Sequence, residues 1–307
     1  MIEKLVIPAG RRLAVVSRTL GKAGSRAVRR WRMMSYLRAG RRPWAVGYHE
    51  YRNQYLERVI SNPGLLAAFR ERGPLPEGYA DRLDARLVEI PWVLSRLNRG
   101  SGMFLDAGSS LNYEFVLRAP RFANRRVVIL TLAPEAECYW YLGVSYVFGD
   151  LRRTLFRDAA FDEIACISTI EHVGMDNTLY TGQAAAPARS GTHEPCPIAR
   201  EFRRIIRPGG TLYVTVPFGR REDHGWFQQF DAPLVDELVQ AFAPREVSET
   251  IYRYLPGGWQ LSDRAACAEA EFFDVRAAGY LGPGSVVSYP PDFAAGERAV
   301  ACLELHG

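Results

Sequence analysis

The chain has 307 residues, 48% of them hydrophobic and 24% charged, with 27 glycines and 19 prolines. That composition supplies a sizeable core and excludes a disordered, collagen-like or coiled-coil protein. No run of about 18 apolar residues occurs, so no membrane-spanning helix is expected. Cys138, Cys166, Cys196, Cys267 and Cys302 are scattered without CxxC spacing. They argue against a disulfide framework or a zinc site, and for a reducing, cytoplasmic setting. Arg11, Arg12 and Arg18 interrupt any early apolar core of a secretory signal.

The cations are uneven in kind and in place. Of 39, 37 are arginines, and residues 1–48 carry 12 cations against the single acid Glu3, a net +11. With +5 overall, the remainder is −6, so the basic character belongs to the N-terminal segment. Residues 1–48 read as a basic extension in which Ala27, Trp31, Met34 and Leu37 recur at helical spacing. Three uses fit it: a solvated tail, a helix lying on an anionic membrane surface, or a grip on RNA phosphates.

Residues 49–100 read as a helical cap segment punctuated by Pro63, Pro74, Pro76 and Pro91. Leu83, Leu87, Ile90, Leu94 and Leu97 predict a helix over Arg82–Leu97, kinked or restarted at Pro91. From residue 101 short apolar runs alternate with helical stretches. Met103–Ala107, Val127–Leu132, Val144–Phe148, Ile164–Ser168 and Thr211–Val216 are strand candidates, the last preceded by the turn Pro208-Gly209-Gly210. Val247–Tyr254 and Ala299–Leu305 follow. Apolar strands separated by helices mean an α/β domain, residues 101–307, built on a mostly parallel sheet covered on both faces.

In such a sheet ligands bind beyond the carboxyl ends of the strands. The first strand runs into Asp106-Ala107-Gly108-Ser109-Ser110-Leu111-Asn112. An acid, a glycine and small residues let backbone approach a ligand closely. Further on come Gly149-Asp150-Leu151, Leu155-Phe156, Phe161-Asp162, Glu171-His172-Val173 and Ile206-Arg207-Pro208-Gly209-Gly210. This ordered series resembles the class I S-adenosylmethionine-dependent methyltransferases, whose ladder reads GD, LPF, FD, EHV, LRPGG. The likeness covers residues 101–220 well, 221–307 loosely and 1–100 not at all.

The resemblance implies a doubly wound Rossmann-like sheet of seven strands in the order 3-2-1-4-5-7-6, with S-adenosyl-L-methionine as cofactor. It implies that Asp106, Gly108 and Ser110 border the amino-acid part of the cofactor. Asp150 would accept from the adenine amino group, with Leu151 and Ile170 against the ring. Where that family ends its second strand in an acid that holds both ribose hydroxyls, this chain has Thr131, with Glu135 one turn later. The Gly-x-Gly-x-Gly turn is reduced to Gly108-Ser109-Ser110-Leu111-Asn112. No Asn-Pro-Pro-aromatic loop follows the fourth strand.

The acceptor side falls on the loops after strands four and five. His172 and His224 are candidate bases for a hydroxyl acceptor, since histidine titrates near neutrality, and Asp223 is a candidate to orient His224. No metal is expected. The stretch VPFGRREDHGWFQQFD (216–231) resembles bacterial methyltransferases that accompany surface-polysaccharide or glycolipid biosynthesis. It implies O-methylation of a sugar, a glycolipid or another small molecule. A non-catalytic relative on a degenerate fold and an RNA methyltransferase are the alternatives; of the two, nucleic acid is the less expected partner. The setting expected is cytoplasmic, at the inner face of the membrane if 1–48 holds the chain there.

Overall fold

A computed structural model of the chain describes residues 27–97, 100–178, 195–278 and 287–307. Two compact units divide it, Met1–Gln54 and Tyr55–Gly307. Within the first, α1 spans residues 27–38, so the helical part of the basic extension is present while residues 1–26 lie outside the described residues. Its arginines, methionines and leucine are not branched at Cβ and lose little rotamer freedom in a helix. Gly40, at φ +78, ends it. The chain then folds back so tightly that a Cβ on Gly47 would stand 1.9 Å from the Arg32 carbonyl oxygen. Trp44, Tyr48, Tyr36 and Tyr51 pack together in this turn, edge-on or tilted, with ring centroids 4.7–5.9 Å apart. Helix α2 spans Tyr48–Ile60.

In the second unit, α3 (Pro63–Glu71) starts on Asn62, whose side chain accepts from the Gly64 and Leu65 N–H groups at 3.0 and 3.2 Å. Helix α4 (Arg86–Arg96) is shorter than its apolar period predicts. Ala80 and Arg82 have φ of 52° and 61°, which breaks any helix there, and the Asp84 carboxylate takes the Arg86 N–H at 3.2 Å. Pro91 lies inside α4, and every residue from Leu87 to Arg96 is buried. Each of its large apolar side chains contributes on the order of 1.5–3 kcal/mol by leaving water.

The sheet is built from β1 (Gly102–Ala107), β2 (Arg125–Thr131), β3 (Ser145–Phe148), β4 (Phe161–Ile167), β5 (Ile206–Pro217), β8 (Glu246–Leu255), β9 (Gly258–Ser262) and β10 (Ala299–His306). A separate two-residue ladder joins β6 (Glu222–Asp223) to β7 (Gln228–Gln229). The order is β3-β2-β1-β4-β5-β10-β8-β9. Strands β1 to β5 pair in parallel, and β10 is antiparallel to both β5 and β8. Counting β8 and β10 as sixth and seventh, this is the expected order 3-2-1-4-5-7-6.

An eighth strand corrects the expected seven. Pro256-Gly257-Gly258 reverses the chain, with φ of +98 and +118 at the glycines, and lays β9 along β8 as a new edge. Pro208-Gly209-Gly210 is not a turn before β5 but a bulge within it, where the register against β4 shifts.

Helices cover both faces. Phe202 and Ile205 of α6 (Cys196–Ile205) and Leu234 and Leu238 of α7 (Ala232–Phe242) join Ile164, Val214 and Leu303 in one buried cluster. On the other face Trp92 of α4 meets Tyr213 edge-on at 6.2 Å, and Phe69 of α3 meets Tyr252 at 5.5 Å. The short helices α5 (Glu114–Leu117) and α8 (Arg264–Cys267) follow β1 and β9. All five cysteines are free thiols.

Candidate active site

Because β1 to β5 run parallel, their carboxyl ends and the loops that follow share one edge of the sheet. Two of these loops are locked together at the Ile167 carbonyl, which accepts from Ser110 Oγ at 2.7 Å, Thr169 Oγ1 at 2.9 Å and Arg86 Nη1 at 3.3 Å. Gly108, at φ +114, passes so close to β4 that a Cβ there would lie 2.1 Å from Thr169 Oγ1. Ser109 and Ser168 adopt φ of 63° and 37° at the ends of β1 and β4. Such strain persists only where neighbours over-determine it, and it gathers at functional sites.

Asp106 is fully buried beneath this turn, and its Oδ2 accepts from the Leu111 N–H at 2.9 Å. Its Oδ1 and the Ser109 hydroxyl have no hydrogen-bond partner among the described residues. Burial pushes the Asp106 carboxyl up to about 7, against the pull of the Leu111 and Ser110 N–H groups. Asp106 therefore shapes the loop from below, and Ser110 commits its proton to Ile167.

At the end of β2, Thr131 is half-buried and donates to the Ala133 carbonyl at 3.2 Å. Its oxygen keeps lone pairs for one ligand hydroxyl. Leu132 and Phe148 stand exposed beside it. Asp150 follows; burial pulls its carboxyl upward, but bonds from the Arg152 guanidinium and N–H hold it below the usual range. Leu151 and Ile170 are buried in the core cluster. Tyr146 of β3 donates to Asn112 Oδ1 at 2.9 Å and accepts from the Tyr139 N–H at 2.8 Å, tying the loops after β1 and β2.

The two histidines come together around one phenylalanine. His172 stacks on Trp226 at 5.3 Å, His224 stacks on Phe227 at 4.6 Å and 7°, and His172 lies 5.9 Å from the same Phe227. His172 Nδ1 meets the Trp226 carbonyl at 2.9 Å. A carbonyl can only accept, so Nδ1 carries the proton and the neutral ring has its lone pair on Nε2. Burial lowers the His172 ring to about 4, so it is neutral at physiological pH. His224 holds Glu222 through Nε2 at 3.2 Å and Asp274 through Nδ1 at 3.3 Å. Asp223 instead accepts from the Gly225 N–H at 2.8 Å and closes its own turn.

Sequence reasoning passed over Arg86, Glu89, Glu222, Asp274 and Glu297. Glu89 of α4 is buried, accepts from Thr215 Oγ1 at 2.7 Å and from Ser168 Oγ, and pairs with Arg86 at 2.9 Å. The available signal was an Arg and a Glu three apart inside an otherwise apolar helix. Among the described residues, no group of His, Cys, Asp and Glu is placed to hold a metal ion, and no helix is long and apolar enough to cross a membrane.

The residues at the strand ends fit a nucleoside cofactor in part. The Gly108 turn and the exposed apolar edge of Leu132 and Phe148 suit an adenosine, whereas the Asp150 carboxylate is held by Arg152 and Thr131 meets a ribose diol with one oxygen.

The sequence matches no family model and no curated protein. In structure the chain is similar to a 4+2 cyclase, SpnF, at 18% identity over 84% of this chain and 94% of that one, TM-score 0.44. It is similar to the 1,6-didemethyltoxoflavin-N1-methyltransferase of Burkholderia thailandensis, solved with S-adenosylhomocysteine, at 14% identity over 84% and 89%, TM-score 0.41. It is also similar to an S-adenosylmethionine-dependent methyltransferase of Thermotoga maritima, at 15% identity over 82% and 98%, TM-score 0.39.

Proposed function

We propose that the chain is an S-adenosylmethionine-dependent methyltransferase that O-methylates a sugar, a glycolipid or another small molecule. The observation that carries this is the juxtaposition of the strained Gly108–Ser109 turn, at the carboxyl ends of parallel strands, with a neutral histidine on the adjoining loop. The cofactor supplies a methyl group on a sulfonium, which leaves as a neutral thioether. Gly108 and Thr131 would border its amino-acid and ribose parts, and Asp150 its adenine.

His172 Nε2 would take the acceptor hydroxyl proton, and the cofactor, when bound, would supply the methyl group to that oxygen. Trp226 holds the ring in the required tautomer through its carbonyl. His224, tied by Glu222 and Asp274, braces the Phe227 face of the acceptor site. The chain works in the cytoplasm, and α1, with Val28, Trp31, Met34 and Leu37 exposed among arginines, rests on the anionic inner face of the membrane.

The second reading, a non-catalytic protein on the same fold, is favoured by Thr131 in the ribose position and by Arg152 occupying Asp150. Calorimetry with S-adenosylmethionine and then S-adenosylhomocysteine separates the two. Saturable binding of both supports the enzyme. No heat from either ligand leaves the non-catalytic reading.

A further inference from the structure

Arg276 is a cation that the mechanism leaves unused, and it stands beside the candidate base. It lies on the segment after α8, and its guanidinium carbon sits 5.1 Å from the centre of the Trp226 ring. Trp226 in turn stacks on His172 at 5.3 Å and holds its Nδ1 through the backbone carbonyl at 2.9 Å. The Asp176 N–H donates to the Gly225 carbonyl at 3.1 Å, which fastens the loop after β4 to this turn. One indole therefore joins the guanidinium to the imidazole. The side chain of His172 is 18% exposed, and Trp226 and Arg276 are both half-buried, so all three are open to solvent.

Arg276 is held in place by its backbone, not by a counter-ion. Asp274 Oδ1 accepts from the Arg276 and Ala277 N–H groups at 2.9 and 3.1 Å. Its Oδ2 is shared by His224 Nδ1 at 3.3 Å and the Trp226 Nε1–H at 3.4 Å. Asp176 accepts from the Thr178 N–H at 2.9 Å. Among the described residues no carboxylate forms an ion pair with the Arg276 guanidinium, and no oxygen accepts from it. A guanidinium lying against an aromatic ring keeps N–H donors in its own plane, where a carboxylate or a phosphate takes a pair of them at once.

We propose that Arg276 is the anion-binding residue of the acceptor site, so that the acceptor is a hydroxylated acid, such as a sugar carrying a carboxylate or a phosphate. Its acid group meets the Arg276 guanidinium, its body lies along Trp226, and its hydroxyl meets His172 Nε2. A molecule fixed at both ends loses the freedom to turn that hydroxyl away from the base. The inference names the substrate class of the methyltransferase reading and rests on it.

The test is calorimetry on the full chain at neutral pH and low salt, first with S-adenosylhomocysteine. Glucuronate and glucose 6-phosphate are then titrated in, with glucose as the neutral counterpart. At least one acid should bind about tenfold more tightly than glucose, a difference of about 1.4 kcal/mol, and the tighter of the two says whether the subsite takes a carboxylate or a phosphate. R276Q should bring that acid to within about twofold of glucose while leaving the affinity for S-adenosylhomocysteine within about twofold of the parent. R276M keeps an apolar stem on Trp226 and removes the charge, so it decides the matter if R276Q does not fold. Acids that bind no better than glucose overturn the subsite, as does a preference that survives both substitutions. If S-adenosylhomocysteine gives no heat, the methyltransferase reading falls, and the acid preference of the protein alone still decides whether the subsite exists.

Discussion

Asp106→Asn should destabilise the protein in acid and stabilise it in alkali. Asp106 is fully buried, with one oxygen on the Leu111 N–H and the other without a partner. Its carboxyl rises from 3.8 to about 7 on folding. The folded state therefore keeps a proton that the unfolded chain has released. The contribution to stability is complete below the unfolded value near 4 and is lost as the pH rises through about 7. At 1.36 kcal/mol per pKa unit, the loss at alkaline pH is about 4 kcal/mol, an upper figure. Asparagine keeps the shape and the acceptor for Leu111, but carries two N–H donors where the protonated carboxyl carries one O–H, at a cost of about 1–3 kcal/mol at every pH. The two stability curves should therefore cross on the way from acid to alkali. Urea unfolding followed by tryptophan fluorescence, on parent and variant from acid to alkaline pH, measures this. Glu171, Glu297 and His172 titrate in both proteins, so the difference isolates Asp106. Parallel curves would refute a buried, protonated Asp106.

The parallel half of the sheet was legible because continuous apolar runs such as Val127–Leu132 and Ile164–Ser168 have few alternatives to a strand covered on both faces. The position of β10 was legible only through family resemblance, since periodicity does not order strands. Strand β9 was missed although Pro256-Gly257-Gly258 is a turn signal, because Trp259–Ser262 is too short to declare its own period. The ends of α4 were misplaced because apolar spacing continues through Leu83, while the positive φ of Ala80 and Arg82 is a tertiary constraint. At the site, His172 and His224 were found by residue type and place. Their different surroundings were not legible: Asp274 is 50 residues from His224 in sequence, and Glu89 reaches Thr215 across 126. A sequence displays such carboxyls only as surface-like charges.

Gly108→Ala should cost about 2–4 kcal/mol, since its Cβ would meet Thr169 at φ +114, and Thr169→Ala in the same chain should recover part of it; thermal unfolding measures both, and a variant as stable as the parent would show that the turn has slack. Asp150→Ala breaks only a solvent-exposed pair with Arg152, so stability should change by less than about 1 kcal/mol. Affinity for S-adenosylmethionine should nevertheless fall by about 1–3 kcal/mol in calorimetry, and an unchanged affinity would remove Asp150 from the adenine site. Membrane location makes the last prediction. Residues 1–48 carry +11, and α1 leaves Trp31 65% exposed beside exposed Met34 and Leu37. Each cation near an anionic leaflet contributes about 1 kcal/mol, so several hold a protein there without any spanning helix. That attraction is screened beyond about 10 Å at 0.1 M salt, whereas burial of Trp31, Met34 and Leu37 is not. The full chain should therefore sediment with anionic vesicles at low salt, partly release at high salt, and ignore neutral vesicles. Trp31→Ser with Leu37→Ser should remove the salt-resistant fraction first. A full chain that ignores anionic vesicles at low salt contradicts the membrane role, and one that prefers RNA to those vesicles returns the basic segment to nucleic acid.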